Sequence, residues 1–280
     1  MKKVFVSLLA LAGAVLLAAP AHAVTYQFLD DTPPDGVCTG SGTNVGNSYS
    51  CQAQGSQTTS LTVTAYSNTG SGGTFAAAKV GDYDDGTGNG DPEFDQYGYG
   101  VTTGTETSSG GQHALDNNGN LEFFLLSFNE SIALTTVRAG WIQTDSDISV
   151  LAYTGSDVAN AVSAATSSTA STLLNTGWDL VQNYSDIGTG EININSQAVS
   201  SSYWIISAYS NTFGSDNWSM GNDYLKLTKI TGNFTCANSN DPSCDPAPPG
   251  VPEPASLALV GAALLGAFGG RRRALKAQKV

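Results

Sequence analysis

The sequence predicts an all-β protein, and three features of its middle portion indicate this class. Short runs of β-branched and aromatic residues recur along residues 24–237, and clusters of Gly, Ser, Thr and Asn separate them. Charged residues make up only 12% of the chain. Near the end of this portion, Leu225 and Leu227 alternate with Lys226 and Thr228, which predicts a half-buried strand. The strand count favours a β-sandwich, and a jelly roll is one form of it.

The predicted strands are apolar runs that turn residues bound on both sides. They cover residues 25–29, 61–66, 75–80, 121–128, 132–139, 148–153, 180–184, 191–194, 203–208 and 224–230. Asn129 and Glu130 separate two of these runs so closely that they predict a hairpin. Residues 30–57 and 81–120 are rich in turn formers and predict long loops.

One helix is predicted between the strands at 148–153 and 180–184. Ser156 has the chemistry of an N-cap residue. Apolar residues follow it at helical spacing, and they are Val158, Ala161, Val162 and Ala165.

The first 23 residues have the three parts of a secretory signal peptide. Lys2 and Lys3 precede a short apolar run, and Ala21 and Ala23 place small residues where signal peptidase cleaves. We therefore expect a signal helix in residues 1–23, signal peptidase as a partner, and a cut before Val24. A retained membrane anchor is disfavoured because the run is short for a span of about 20 residues.

The C-terminal end predicts a second hydrophobic segment. Residues 238–250 are rich in proline and polar residues and predict an extended stalk. Residues 255–270 are apolar, and Arg271, Arg272 and Arg273 follow directly. This order predicts a transmembrane helix whose basic end stays in the cytoplasm, with the body outside the inner membrane.

The charge of the body excludes a nucleic-acid partner. Residues 24–252 contain four basic residues and 23 acidic ones, a formal charge of −19. A nucleic-acid-binding surface needs cations that replace phosphate counterions, and here they are too few.

The four cysteines predict disulfides in an oxidising compartment. Cys38 and Cys51 enclose one short polar loop, and Cys236 and Cys244 enclose another. These two pairs are the favoured connectivity, while a pairing that ties the beginning of the domain to its end is the alternative.

The tail combines a short motif, an apolar segment and a basic end. Pro252, Glu253 and Pro254 come directly before the apolar residues, and Arg271, Arg272 and Arg273 come directly after them. This arrangement resembles the PEP-CTERM sorting signal of Gram-negative bacteria. The resemblance implies that an exosortase in the inner membrane recognises residues 251–280 and that the body then reaches the cell surface or the extracellular matrix.

The body resembles an exosortase-dependent surface protein family that is defined by such tails. The residues that carry this resemblance are the run at 120–128, Trp141, residues 145–155 and residues 178–184. The resemblance implies no established activity, but it implies a role near exopolysaccharide. A structural or adhesive protein of the surface or biofilm matrix is the leading function, a carbohydrate-binding module is the alternative, and an exported hydrolase is the third candidate.

A glycine-rich acidic loop is the candidate metal site. Hard cations such as calcium prefer several oxygen ligands on a backbone that turns sharply. The spacing does not match an EF-hand, so a calcium site and an ordinary acidic turn both stay open. The candidate ligands are Asp82, Asp84, Asp85, Asp91, Glu93 and Asp95.

Trp218 is the candidate sugar contact, because polar turn residues surround it. Aromatic faces stack on sugars while neighbouring polar groups bind hydroxyls, although a buried loop anchor is the alternative. No catalytic residue is predicted. His113 is the single histidine beyond the signal peptide, and no G-x-S-x-G sequence is present.

Overall fold

The computed structural model describes residues 21–28, 38–39, 47–53, 59–81, 97–103 and 113–235. The chain divides into two units, Met1–Ala237 and Asn238–Val280, and all described residues belong to the first. The predicted stalk and the apolar tail lie outside the described residues. The borders at residues 237 and 250 therefore stay predictions, as does the cut before Val24. The expected signal helix is wrong at its end, because residues 21–23 begin a strand, Ala21–Gln27.

Fourteen strands form in the described residues, and short runs of β-formers produce most of them. They are β1 Ala21–Gln27, β2 Cys38–Thr39, β3 Ser48–Gln52, β4 Ser60–Ser67, β5 Ala76–Ala77, β6 Lys79–Gly81, β7 Gly100–Thr102, β8 Leu115–Asp116, β9 Glu122–Ile142, β10 Ile148–Tyr153, β11 Trp178–Tyr184, β12 Glu191–Asn193, β13 Ser201–Ala208 and β14 Tyr224–Thr235.

Antiparallel pairing joins twelve of these strands into one large sheet. Its main path runs β11-β10-β13-β9-β4-β3-β2. β14 pairs with β1, β8 and β9, and β12 also pairs with β9. β6 and β7 form a separate two-stranded sheet. The predicted all-β class is thus confirmed at the level of a large antiparallel sheet with few helices.

The hairpin predicted at Asn129 and Glu130 is wrong, because β9 continues through both residues. The first half of β9 pairs with β4 and β13, as in Val63↔Leu126 and Ile205↔Leu125. The second half pairs with β14 and β12. The polar pair thus marks the place where the strand changes partners, and the Asn129 Oδ1 accepts a hydrogen bond from Ser60 N at 2.9 Å.

The half-buried pattern predicted for β14 is also wrong. Lys226 is 4% exposed and Thr228 is 6% exposed, so the supposed outer face is covered as well. β14 shifts register on both sides of Leu227, which breaks the simple alternation of faces. The Lys226 ammonium lies 5.9 Å from the centre of the Trp141 ring. The ring face is thus one of the partners of this buried cation.

The helical segment lies between β10 and β11, as predicted, but it is broken into short pieces. A 3₁₀ turn, Val158–Asn160, leads into α1 Ala161–Thr166, and α2 Ala170–Leu173 follows. Asn160 is the N-cap of α1, so Ser156 does not have the predicted capping role. Val158 and Val162 are exposed, whereas Ala161 and Ala165 are buried.

The core residues lie on both faces of the central strands. On one face, Trp178 packs with the helices and donates a hydrogen bond from Nε1 to Ala161 O at 3.3 Å. Trp204 is fully buried, and its Nε1 donates to Ile132 O at 3.1 Å and Ser201 O at 2.9 Å. Both indole N–H groups are therefore satisfied, as buried polar groups need.

The regions predicted as long loops contain strands. β2 and β3 lie within residues 30–57, and β7 and β8 lie within residues 81–120. These strands are two to five residues long. Strands this short contain too few residues to show the two-residue alternation by which a strand is predicted from sequence. Within the described residues, no helix has the length and apolar character needed to cross a membrane.

Candidate functional site

Three carboxylates from two distant segments of the chain lie close together. Asp145 and Asp147 lie in the connection from β9 to β10, and Asp223 directly precedes β14. One oxygen of each carboxylate lies within 4.8 Å of the others. Asp147 is 3% exposed and Asp223 is fully buried, while Asp145 is partly exposed. We call these three residues the carboxylate cluster.

Local backbone geometry brings Asp145 and Asp223 together. Asp145 forms isolated β-bridges with Gln143 and with Asp223. Thr144, which lies between Gln143 and Asp145 in sequence, has φ +69°. A β-branched residue rarely adopts this left-handed conformation, so the turn is strained. It reverses the chain just after β9 and directs the following aspartates towards β14.

Protein N–H groups already bind most of the cluster's oxygens. Asp145 Oδ1 accepts from Ser146 N at 2.8 Å, and its Oδ2 accepts from Asn222 Nδ2 at 2.8 Å. Asp147 Oδ1 accepts from Asp186 N at 2.7 Å. Asp223 Oδ1 accepts from Asp147 N at 2.9 Å. The cluster therefore joins three stretches of the chain, residues 145–147, Asp186 and residues 222–223.

Asn117 completes this network from the connection between β8 and β9. Its Nδ2 donates to Asp223 Oδ2 and, at 2.9 Å, to Tyr209 O. Its Oδ1 accepts from Gly221 N at 3.0 Å and from Asp223 N at 3.1 Å. Asn117 is 7% exposed, so these contacts satisfy an amide that is almost removed from water.

The burial of the cluster changes its protonation. Loss of solvent raises the pKa of Asp223 to about 7, and the nearby charges of Asp147 and Asp145 act in the same direction. The hydrogen bonds from Asp147 N and Asn117 oppose this rise. Burial also raises the pKa of Asp147, and the Asp186 N–H partly offsets that effect.

The chemistry open to the cluster is limited by its burial. Converging carboxylates with raised pKa values are two requirements of a hydrolase, but a substrate must also reach them, and Asp223 is fully buried. Close oxygens can also hold a divalent cation. The hydrogen bonds described above already bind five of the six oxygens. The arrangement is therefore a hydrogen-bonded network that joins distant segments of the domain.

Sequence reasoning missed this cluster. Asp145 and Asp147 are close in sequence, but Asn117 lies 30 residues before Asp147 and Asp223 lies 76 residues after it. The local signal was the Asp-Ser-Asp spacing at 145–147, which alone resembles an ordinary polar turn. The residues become a unit only through the pairing of β14 with β8 and β9.

Trp218 lies partly buried rather than fully exposed. Its ring packs against the ring of Tyr209, with centroids 5.0 Å apart and an interplanar angle of 45°. Its neighbours Asp216, Asn217 and Ser219 are exposed. A partly buried aromatic among exposed polar residues is compatible with both roles considered for it, a sugar contact and a loop anchor.

Cys38 and Cys51 lie directly opposite each other in the register of β2 and β3. Cys51 is fully buried. This placement supports the predicted pairing of these two residues, and the bond itself stays a prediction. Cys236 and Cys244 lie outside the described residues, so the alternatives for the second pair stay open.

The other predicted site residues have separate outcomes. His113, for which no catalytic role is predicted, lies at φ +66°, and its Nδ1 is 2.7 Å from Thr102 Oγ1. The candidate calcium loop lies outside the described residues, as do the sorting motif and the basic end. These comprise Asp82, Asp84, Asp85, Asp91, Glu93, Asp95, Pro252, Glu253, Pro254, Arg271, Arg272 and Arg273.

Comparison with known proteins identifies the tail. The class that the sequence and the comparison define is an exported protein with a C-terminal sorting signal. The family model described as the PEP-CTERM protein-sorting motif matches residues 250–273, so the chain carries this motif. No curated protein and no solved structure matches the chain. The matched residues contain the predicted Pro-Glu-Pro motif and the three arginines, and the resemblance of the body stays a prediction.

Proposed function

We propose that the chain is the precursor of a structural or adhesive protein of the cell surface or biofilm matrix. The PEP-CTERM motif at residues 250–273 carries this proposal, because such a motif marks an exported protein for an exosortase. Signal peptidase would remove residues 1–23. The apolar residues 255–270 would hold the intermediate in the inner membrane until the exosortase cleaves at the tail.

The strand pairing and the charge of the body support a structural role. The two halves of β9 pair with different strands, which is how a strand passes from one layer of a β-sandwich to the other. We therefore propose a sandwich for the body, with a jelly roll as one form. Its formal charge of −19 for residues 24–252 favours solubility and repulsion between copies outside the cell.

We propose that the body is not an enzyme. The carboxylate cluster is the described group closest to a catalytic arrangement. Its burial and its protein hydrogen bonds support a structural use instead. A matrix protein needs a stable exported domain, and a hydrogen-bonded network that joins distant segments contributes to that stability.

Glu253→Ala tests the processing step. In the native host, the wild-type protein should lose residues beyond the motif and leave the inner-membrane fraction, as measured by intact mass and fractionation. Glu253→Ala should accumulate the longer form in the inner membrane. Pro248→Ala changes the stalk outside the motif and should be processed normally. If the wild type keeps its full C-terminus, the chain is a simple anchored ectodomain and the proposal fails.

A carbohydrate-binding module is the second candidate, and Trp218 is the observation that favours it. The ring rests on Tyr209, and exposed Asp216 and Asn217 flank it. Affinity electrophoresis in the exopolysaccharide of the host should show retardation of the wild type. Trp218→Ala should weaken binding roughly tenfold if the ring stacks on sugar. Met220→Ala, a nearby exposed apolar change, should not. No retardation of the wild type would leave the structural role alone, and equal retardation of all three proteins would show that Trp218 is not the sugar contact.

A further inference from the structure

The predicted signal peptidase site lies inside a paired strand. β1 is antiparallel to the end of β14, and Ala21 pairs with Thr235. On either side of the predicted cut, Ala23 pairs with Asn233 and Val24 pairs with Gly232. The bond to be cleaved therefore has the backbone of another strand beside it in the folded domain.

A protease cannot readily cleave a bond in this situation. Recognition of an extended peptide uses its free backbone N–H and C=O groups, which form hydrogen bonds with the enzyme. Cleavage sites accordingly concentrate where the backbone is unpaired. A paired segment is cut only as often as it opens. The β1–β14 ladder thus competes directly with signal peptidase for the same chain segment.

The docked strand is also held by its side chains. Val24 is 2% exposed, and Tyr26 and Phe28 are each 1% exposed. The Tyr26 ring contacts Phe128 with centroids 5.5 Å apart, and Phe28 N donates to Thr228 O at 2.8 Å. Opening β1 would expose three large apolar side chains, so the open state is rare once the domain has formed.

The partner of the first strand is the last strand. An exported chain crosses the membrane from its N-terminal end, so β1 emerges long before β14. Its strand partner in the described residues is absent throughout that interval. Closing such a long loop also adds entropy cost and slows the pairing further. The topology therefore leaves residues 21–27 unpaired until translocation has nearly ended.

We propose that this first-to-last strand pairing fixes the order of processing, so that signal peptide cleavage precedes closure of β1 on β14. The reaction is hydrolysis of the Ala23–Val24 peptide bond. One water is consumed, Ala23 gains a carboxylate and Val24 gains a free amino group. A chain that folds before this cut becomes a poor substrate for signal peptidase. The inference rests on the proposed function, because it requires export through residues 1–23.

The test compares folded and unfolded full-length precursor. Uncut chain is purified in mild detergent, and signal peptidase is added either to the folded protein or at the moment of dilution from urea. The folded precursor should be cut at least tenfold more slowly after Ala23, as measured by intact mass. Tyr26→Pro removes an N–H that faces Ile230 of β14, in the same alternation by which the Phe28 N–H donates to Thr228 O, and should speed cleavage of the folded precursor.

Gln182→Pro is the matched control. It places the same substitution in β11, an edge strand that pairs with β10 and not with β1. This variant should be cut as slowly as the wild type. Fluorescence of the buried Trp178 and Trp204 checks that both variants remain folded.

The outcomes separate the inference from its premise. Equal cleavage of folded and unfolded wild type would overturn the inference while leaving the signal peptide intact. Acceleration by Gln182→Pro as large as that by Tyr26→Pro would also overturn it, because general loosening of the domain would then explain the effect. If even the unfolded precursor is not cut after Ala23, both the signal peptide and the inference are wrong, whatever happens at Glu253.

Discussion

The Asn117 side chain forms hydrogen bonds with both the side chain and the backbone of Asp223, although the two residues are 106 positions apart in sequence. The Asn117 amide donates to the Asp223 carboxylate and accepts from the Asp223 N–H at 3.1 Å. This reciprocal contact joins the connection before β9 to the start of β14. The contact holds Asp223 in its place in the carboxylate cluster.

Asn117→Ala should destabilise the domain. The change leaves the N–H groups of Gly221 and Asp223 and one Asp223 oxygen without their present partner. An unsatisfied buried polar group costs about 1–3 kcal/mol, so we expect a total loss of roughly 3 kcal/mol in urea unfolding. Asn175→Ala, at an exposed turn, should change stability by less than about 0.5 kcal/mol. A wild-type value for Asn117→Ala would show that the contact is dispensable.

The stability of the domain should fall as the pH rises from about 4 to about 7. Burial raises the pKa of Asp223 from 3.8 to about 7, so the folded state keeps a proton that the unfolded state loses in this window. Each pKa unit corresponds to about 1.4 kcal/mol, which makes the full loss on the order of 4 kcal/mol. Above pH 7 the contribution of Asp223 should be flat.

Urea unfolding in EDTA across this pH range measures the effect. Asp223→Asn removes the titrating proton, so its stability should depend less on pH than that of the wild type. The slope is the relevant readout, because the new amide also places an N–H group against existing donors. Asp179→Asn, at an exposed site in β11, should keep the wild-type slope. A wild-type curve without a slope between pH 4 and pH 7 contradicts the prediction.

Cys38 and Cys51 should be bonded to each other in the exported protein. The two residues are paired in the register of β2 and β3, and Cys51 is fully buried. A disulfide that closes so short a loop stabilises by roughly 3 kcal/mol. Peptide mapping of the unreduced protein should recover the two residues in one linked peptide, and a second linked peptide should contain Cys236 and Cys244. Alkylation of all four cysteines without reduction would refute both bonds.

Millimolar calcium should raise the melting temperature if the acidic loop around Asp84 binds the ion. A ligand that binds only the folded state stabilises it by mass action. The double variant Asp84→Ala/Asp91→Ala should lose the shift, and Asp223→Asn should keep it. Loss of the shift in Asp223→Asn alone would move the ion to the carboxylate cluster, and no shift in the wild type would leave an ordinary acidic turn.

The sequence predicts the repeating local features of this fold better than its long-range ones. β10 matches its predicted run at both ends, because Ile148, Val150, Leu151 and Tyr153 form a short apolar run that turn residues bound on both sides. The predicted hairpin at Asn129 fails because local turn chemistry does not report which strands lie alongside. β9 keeps its extended form there by exchanging one pair of neighbours for another, which is a tertiary effect.

The candidate site shows the same division. A glycine-rich run of acidic residues stands out in a sequence, so it attracts a metal hypothesis. The carboxylate cluster takes two residues from the β9–β10 connection and one from the segment before β14. Only strand pairing brings these segments and Asn117 together. The tail is the opposite case, because its motif, apolar run and basic end are consecutive and therefore readable without a fold.

The continuous course of β9 restricts how this domain can change during evolution. Side chains alternate along a strand, so an insertion or deletion of one residue reverses the faces of everything beyond it. A deletion at Ser131 would leave the pairing of residues 122–128 with β4 and β13 in place. It would reverse the faces of the later β9 residues relative to their neighbours in β14 and β12. Length variation among descendants of this sequence should therefore collect in the connecting loops and spare β9.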